Sequence, residues 1–297
     1  MSHLKPYLGV TRAPFLVLSM TLVALGAAAG AREGAFSPAR TMVALIGLVA
    51  LHLAVNTFNE VSDMWRGIDL RTQRTPFSGG SGTLPSGALG MRTAVLVGLG
   101  GAAVGLACGL WLLGEIGSVL IPWMVLGAIF VLAYTDVLAR VGLGEVAAGL
   151  GLGGLAVAGT ALVQDGSLGP TAWATAVPAF GLTFNLLLLN EFPDETADRE
   201  GGRRNLVLLL GRRRAAQLYV VVALCVPLAI LAAVLAAALP AAALIAVVPS
   251  VFLLEPLRWA ARDPQSPVPV PALGANVLRI LATNSLLAAA LAASVLI

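Results

Sequence analysis

The sequence predicts an all-α fold, a polytopic membrane bundle of about nine transmembrane helices, from three observations. Of 297 residues, 58% are hydrophobic and only 11% charged, with a mean hydropathy of +0.91, whereas soluble domains carry roughly a quarter charged residues. Apolar windows recur along the chain, most of them close to the roughly 20 residues that cross a hydrocarbon core of about 30 Å. Basic residues fall almost entirely into alternate segments between those windows. Together these exclude a water-soluble enzyme and leave little chain for a soluble domain.

The first window, 14–31, follows a short basic lead containing Lys5 and Arg12. Its Ala-rich end imitates a signal-peptide cleavage site, but the charge alternation needs it as a retained span. The second, 41–58, runs on into a polar helix end, and the third and fourth are 93–113 and 116–135. The fifth and sixth, 142–163 and 171–190, lead to a second polar helix end. Arg212, Arg213 and Arg214 precede the seventh, 215–238, and read as a positive-inside anchor. The eighth, 240–255, is short and the least well defined. The ninth, 274–296, carries Asn276, Arg279 and Asn284 at helical spacing, as a structural tether or a substrate contact.

Nine spans with a cytoplasmic N-terminus and an outer C-terminus place 15 of the 18 Lys and Arg residues on the cytoplasmic side. A multi-pass protein of the plasma (inner) membrane is expected. Twelve of the 15 acids share that face. Bases alone would suggest anchoring to anionic membrane lipid, whereas acids interleaved with them suggest a site. Cys108 and Cys225 sit in apolar windows without metal-ligand spacing, and His3 and His52 cannot build a zinc site. No glycine-rich nucleotide motif follows a strand pattern, and nothing points to nucleic acid.

The acids gather in two clusters. In the first, Asn56, Asn59, Glu60 and Asp63 share one helix face over two turns, with Arg66 and Asp69 just beyond. The second holds Asn190, Glu191, Asp194, Glu195 and Asp198, followed by Arg203 and Arg204. Asn-Glu-x-x-Asp occurs at 59–63 and again at 190–194, each time directly after an apolar helix. The repeat divides a single domain, 1–297, into pseudo-repeated halves at about 14–135 and 142–296. Ionisable groups at this depth are costly unless they face a protein cavity and find partners. Carboxylates are hard oxygen donors suited to Mg²⁺, which takes one or two of them and completes its shell with substrate phosphate. Two opposed sets therefore suit a diphosphate bridged by Mg²⁺, with Arg66, Arg71, Arg74, Arg203 and Arg204 available to the remaining phosphate oxygens.

These clusters, the loop from Arg71 to Pro85, the stretch from Tyr134 to Glu145 and the nine spans together resemble the UbiA-type intramembrane prenyltransferases, most closely the branch acting on 1,4-dihydroxy-2-naphthoate. The resemblance implies a helical bundle with two Asp-rich motifs on its cytoplasmic face. It also implies Mg²⁺-dependent transfer from a polyprenyl diphosphate donor to an aromatic or other lipophilic acceptor, in menaquinone-like or related isoprenoid biosynthesis. Asn59, Asp63 and Asp69 then occupy the first motif, with Glu60 where Asp is more usual, and Asp194 and Asp198 the second, preceded by Asn190. Asp63, Asp69, Asp194 and Asp198 become the catalytic set and, with Asn59 and Glu60, the metal ligands. Asn56, Asn59, Arg66, Arg71, Arg74, Tyr134, Arg140, Asn190, Arg203 and Arg204 become donor or acceptor contacts. Tyr134, Phe58 and Phe184 are placed to shield an allylic cation. The prenyl tail is expected among apolar spans, in a cavity opening sideways to lipid. A terpene cyclase would share the diphosphate site, and an acid-lined cation transporter would put polar residues near the bilayer midplane.

Overall fold

The computed structural model describes residues 4–296, so His3 and Ile297 lie outside the described residues. Among those described the chain is helical and contains no strand. Lys5–Val10 (α1) leads into Ala13–Arg32 (α2), Pro38–Trp65 (α3), Met91–Ile116 (α4) and Ser118–Ala133 (α5). Gly144–Asp165 (α6) and Pro170–Glu191 (α7) are followed by the short Glu195–Glu200 (α8) and Leu206–Leu210 (α9). Arg212–Leu235 (α10), Ala241–Arg262 (α11) and Val270–Val295 (α12) complete the bundle.

Eight of these helices are long and apolar enough to cross a membrane, and the remaining window, 116–135, corresponds to the shorter apolar α5. The weak element is thus the fourth window rather than the eighth. The eighth extends to Arg262, and its Ala241–Leu253 portion coils as a 3-10 helix of 13 residues, with Pro240 before it and Pro249 inside. A 3-10 coil rises about 2.0 Å per residue, so few residues cover much of the bilayer.

The bundle core joins α2, α6, α7, α10 and α12 through Leu22, Leu25, Val157, Leu182, Ile230 and Ile280. Helix α4 packs along α3 and turns Leu96, Leu99, Leu106 and Leu110 outward. An apolar exterior of this kind suits hydrocarbon rather than water, and the chain is an integral multi-pass membrane protein.

Helix α6 carries a π-helical stretch, Gly149–Leu155, where it lies against α7. A Cβ on Gly153 would stand 2.6 Å from the Ala179 carbonyl oxygen. The two backbones touch there because no side chain intervenes. Gly153→Val should therefore force the helices apart and destabilise the bundle by about 1–3 kcal/mol. Thermal unfolding in detergent measures this, and an unchanged midpoint would count against a close-packed seam.

Candidate active site

Five segments bring their polar side chains to one end of the bundle: Arg12 between α1 and α2, the end of α3, the loop after it, the junction of α7 with α8, and Arg203 before α9. They close a cavity of about 590 Å³ whose remaining walls are mostly apolar, including Leu48, Leu112, Trp123, Phe130 and Leu186. Leu106 and Leu132 line this cavity yet are 56% and 72% exposed. The wall therefore opens beside α4 and α5 toward the lipid-facing surface.

Arg203 joins the two clusters. Its Nη2 donates to Asn59 Oδ1 at 2.6 Å and to Asp63 Oδ1, while its Nη1 lies 3.8 Å from Asp198 Oδ1. Asn59 Nδ2 donates to the other Asp63 oxygen at 3.0 Å, as helical i, i+4 spacing allows. Asn205 Nδ2 donates to Asp198 Oδ2 at 2.9 Å. Burial works to lower the Arg203 pKa, but Asp63 and Asp198 prevail and hold the guanidinium well above its ordinary value.

The loop after α3 supplies the opposite wall. Thr72 Oγ1 donates to Asp194 Oδ1 at 2.7 Å and the Gly79 N–H to Asp194 Oδ2 at 3.1 Å. Gly79 and Gly80 have φ of +82° and +72°, and a Cβ on Gly80 would strike the Asp69 carboxylate. Glycine therefore lets this backbone approach both acids. Asp69 is 2% exposed and its Oδ2 has no hydrogen-bond partner. Burial, reinforced by Glu60 and Asp63, pushes its carboxyl up to about 7. Burial likewise pushes Asp198 up to about 7 against the pull of Arg203, and raises Asp194.

Of the residues expected at the site, Asn56, Asn59, Asp63, Asp69, Tyr134, Asn190, Asp194, Asp198 and Arg203 line the cavity. The others lie elsewhere. Glu60 is fully buried against Arg12 Nε (2.7 Å) and the Ser81 N–H and hydroxyl (2.9 and 2.7 Å), so it braces the loop. Arg66 pairs with Asp136 at 2.9 Å and Arg71 with Glu200 at 3.3 Å. Arg74 donates to the Asp69 carbonyl at 2.7 Å. Arg140 and Arg204 line a separate surface depression on the far side of Arg203. Phe58 packs against Gly98, and Phe184 is buried beside Phe180 and Tyr219, so neither faces the cavity. Phe15, Phe77, Trp123 and Phe130 do.

Several cavity residues carry little signal in the sequence. Arg12 reads as part of a basic lead and comes to Glu60 only through tertiary packing. Thr72 and Gly79 lie in the loop from Arg71 to Pro85, whose pattern does not single them out from their neighbours. Glu191 stands in plain view beside Asn190 and lines the cavity, but nothing in its spacing separates it from Glu60. His52 is buried at the cavity wall with Ser19 Oγ at 2.9 Å from Nδ1.

Fold and site define an intramembrane helical bundle in which carboxylates, asparagines and two arginines close one end of a lipid-accessible apolar cavity. Residues 17–277 match the UbiA prenyltransferase family, and the chain belongs to that family, as a prenyltransferase. It is 26% identical over 229 residues to the 1,4-dihydroxy-2-naphthoate octaprenyltransferase of Escherichia coli strain K12, covering 72% of this chain and 71% of that relative. The apo structure of a UbiA homolog from Aeropyrum pernix K1 has a TM-score of 0.73 at 19% identity, covering 95% of this chain and 98% of that one. A UbiA homolog from Archaeoglobus fulgidus bound to DMAPP and Mg²⁺ has a TM-score of 0.65 at 17% identity, again over 95% and 98%.

Proposed function

We propose that this chain transfers a polyprenyl group from a polyprenyl diphosphate to a hydroxylated aromatic acceptor within the membrane, with Mg²⁺, in the synthesis of a menaquinone-like quinone. The observation that carries this reading is the meeting of two Asn-Glu-x-x-Asp helix ends, Arg12 and Arg203 at the mouth of an apolar, laterally open cavity. The naphthoate relative supports the acceptor class, and the DMAPP- and Mg²⁺-bound neighbour supports the donor and the metal. The Lys and Arg asymmetry supports a cytoplasmic site and N-terminus in the plasma (inner) membrane, with α5 counted as a crossing. The repeated motif supports one domain with pseudo-repeated halves at about 14–135 and 142–296.

The donor set fits Mg²⁺. Among the described residues no three His, Cys, Asp or Glu side chains gather as a cage for one ion. The acids instead line the cavity singly or in pairs, as suits an ion that completes its shell with substrate phosphate and water. Asp69 Oδ2 is free, and Asp63 and Asp194 oxygens that accept one hydrogen bond each retain a second lone pair. Asn59, Asp63 and Asp69 on one side and Asp194 and Asp198 on the other would hold the ion. Bound there, Mg²⁺ supplies Lewis-acid stabilisation of the departing diphosphate. Arg203 and Arg12 place positive charge where negative charge develops as the allylic C–O bond breaks. Tyr134, Phe15 and Phe130 line the cavity, where aromatic rings can stabilise an allylic cation, and the apolar walls exclude water from it.

Purified protein with Mg²⁺, radiolabelled polyprenyl diphosphates and hydroxylated aromatic acceptors should form labelled product only when acceptor is present. Product without acceptor would indicate a cyclase, and no diphosphate release under any condition would overturn the reading. Metal binding should depend on pH. The raised values of Asp69 and Asp198 mean that folding favours their protonated forms. Their stabilising contribution is complete below the ordinary carboxylate range near pH 4 and is lost as pH rises through about 7. Ions bind the deprotonated groups, so Mg²⁺ should raise the thermal midpoint more at roughly pH 8 than at roughly pH 6, with EDTA reversing the gain. Equal shifts at both would remove these carboxylates from the metal site.

A further inference from the structure

The two repeats of Asn-Glu-x-x-Asp place a glutamate at the same motif position, Glu60 and Glu191, yet their surroundings are opposite. Glu60 is neutralised by Arg12 and sits outside the cavity. Glu191 lines the cavity beside Tyr134 and Asn190 while remaining 9% exposed, and its Oε2 has no hydrogen-bond partner. Its neighbour is another acid. Glu145 of α6 is fully buried, and α6 comes up against Glu191 here, since a Cβ on the preceding Gly144 would stand 3.9 Å from Glu191 Oε1. Glu145 Oε1 accepts the Leu206 N–H at 2.6 Å, and its Oε2 also lacks a partner. The charged and titratable groups facing Glu191 are Glu145 from α6, Tyr134 at the end of α5, Asp198 from α8 and Arg203 before α9. Only Arg203 among them is cationic, and its hydrogen bonds go to Asn59 and Asp63.

We propose that Glu191 is the catalytic base that takes the proton of the aromatic acceptor, and that Glu145 is a positioning residue behind it that helps hold Glu191 at the cavity wall. This rests on the transferase reading above and names the group that activates the acceptor. The allylic C–O bond breaks with its electron pair leaving on the diphosphate. The π electrons of the ring carbon beside the hydroxyl form the new C–C bond to the allylic carbon. The O–H bonding pair stays on oxygen as a carbonyl, and the proton passes to the unpaired Glu191 oxygen. Tautomerisation of the resulting ketone restores the aromatic ring. The site divides the labour by charge: Arg12 and Arg203 face the diphosphate, while Glu191, without an arginine partner, is left to accept a proton.

The test compares wild type, Glu191→Gln, Glu191→Asp and Glu145→Gln in detergent or nanodiscs, using the naphthoate or other hydroxylated acceptor that the wild type prenylates. Glu191→Gln keeps the shape but cannot take a proton. It should lower the single-turnover transfer rate about a hundredfold, within the range usual for a lost general base. Its donor KM and half-saturating Mg²⁺ concentration should stay near wild type. Glu191→Asp should recover part of the rate, and Glu145→Gln should lower it less than Glu191→Gln does. A Glu191→Gln rate within threefold of wild type would overturn the proposal. So would a loss reversed by raising Mg²⁺, which would make Glu191 a metal ligand. If Glu191→Gln does not fold, Glu191→Asp and Glu145→Gln carry the same test, and wild-type rates in both overturn it. A wild-type chain that releases no diphosphate sinks the transferase reading itself, whereas wild-type turnover with an indifferent Glu191 sinks this inference alone.

Discussion

Asp194→Ala is expected to lower prenyl transfer by about two to three orders of magnitude, the scale on which loss of one charge-stabilising contact acts, while the bundle stays folded. Asp194 lies in the turn after α7, where its two oxygens receive the Thr72 hydroxyl and the Gly79 N–H. Its removal frees two donors in a partly buried loop that water can reach, so the apolar core contacts of α7 are untouched. Asp63→Ala should behave alike, because Arg203 retains Asn59 and Asp198 as partners. Initial rates with labelled donor, read beside a thermal melt in detergent, check both variants. Retention of most wild-type activity by either would remove that carboxylate from the working set.

The second large effect is expected at Arg203, whose side chain touches both acidic clusters. Arg203→Leu leaves Asp63 and Asp198, both at most 4% exposed, without their cation. Removing one partner of a buried ion pair typically costs about 3–5 kcal/mol, and the partial exposure of the guanidinium places this case at or below the lower end. Donor affinity should fall as well, since a planar cation facing the diphosphate is lost. Mg²⁺ should restore part of the lost thermal stability, because a divalent ion replaces the missing positive charge between the same carboxylates. Melting curves with and without Mg²⁺ measure this, and a variant as stable as wild type without metal would show that the clusters are not held together through Arg203.

The repeated motif illustrates how far spacing reaches. Helical periodicity correctly groups Asn59 with Asp63, which hydrogen-bond at 3.0 Å, because i and i+4 side chains share a face whatever surrounds them. Glu60 breaks the pattern by being one residue out of register. It points about 100° away, where Arg12 and Ser81 meet it. The arginines show the same limit. Positive charge near an acidic cluster is legible, but Arg66, Arg71 and Arg74 find Asp136, Glu200 and a backbone carbonyl nearer than the cavity. The eighth window is misjudged for a backbone reason, since hydropathy counts residues and a 3-10 coil lengthens the span per residue.

By itself the sequence determined the solvent, the class of fold and the two helix ends that carry the acids, because hydrophobicity, charge asymmetry and helical spacing are local properties. Only the tertiary structure decided which charges meet. It brought Arg203 between Asp63 and Asp198, withdrew Glu60 onto Arg12, and left Glu191 at the cavity wall with an unpartnered oxygen. Ion pairing acts over a few ångströms between side chains far apart in the chain, so identical motifs become a brace in one half and a candidate base in the other.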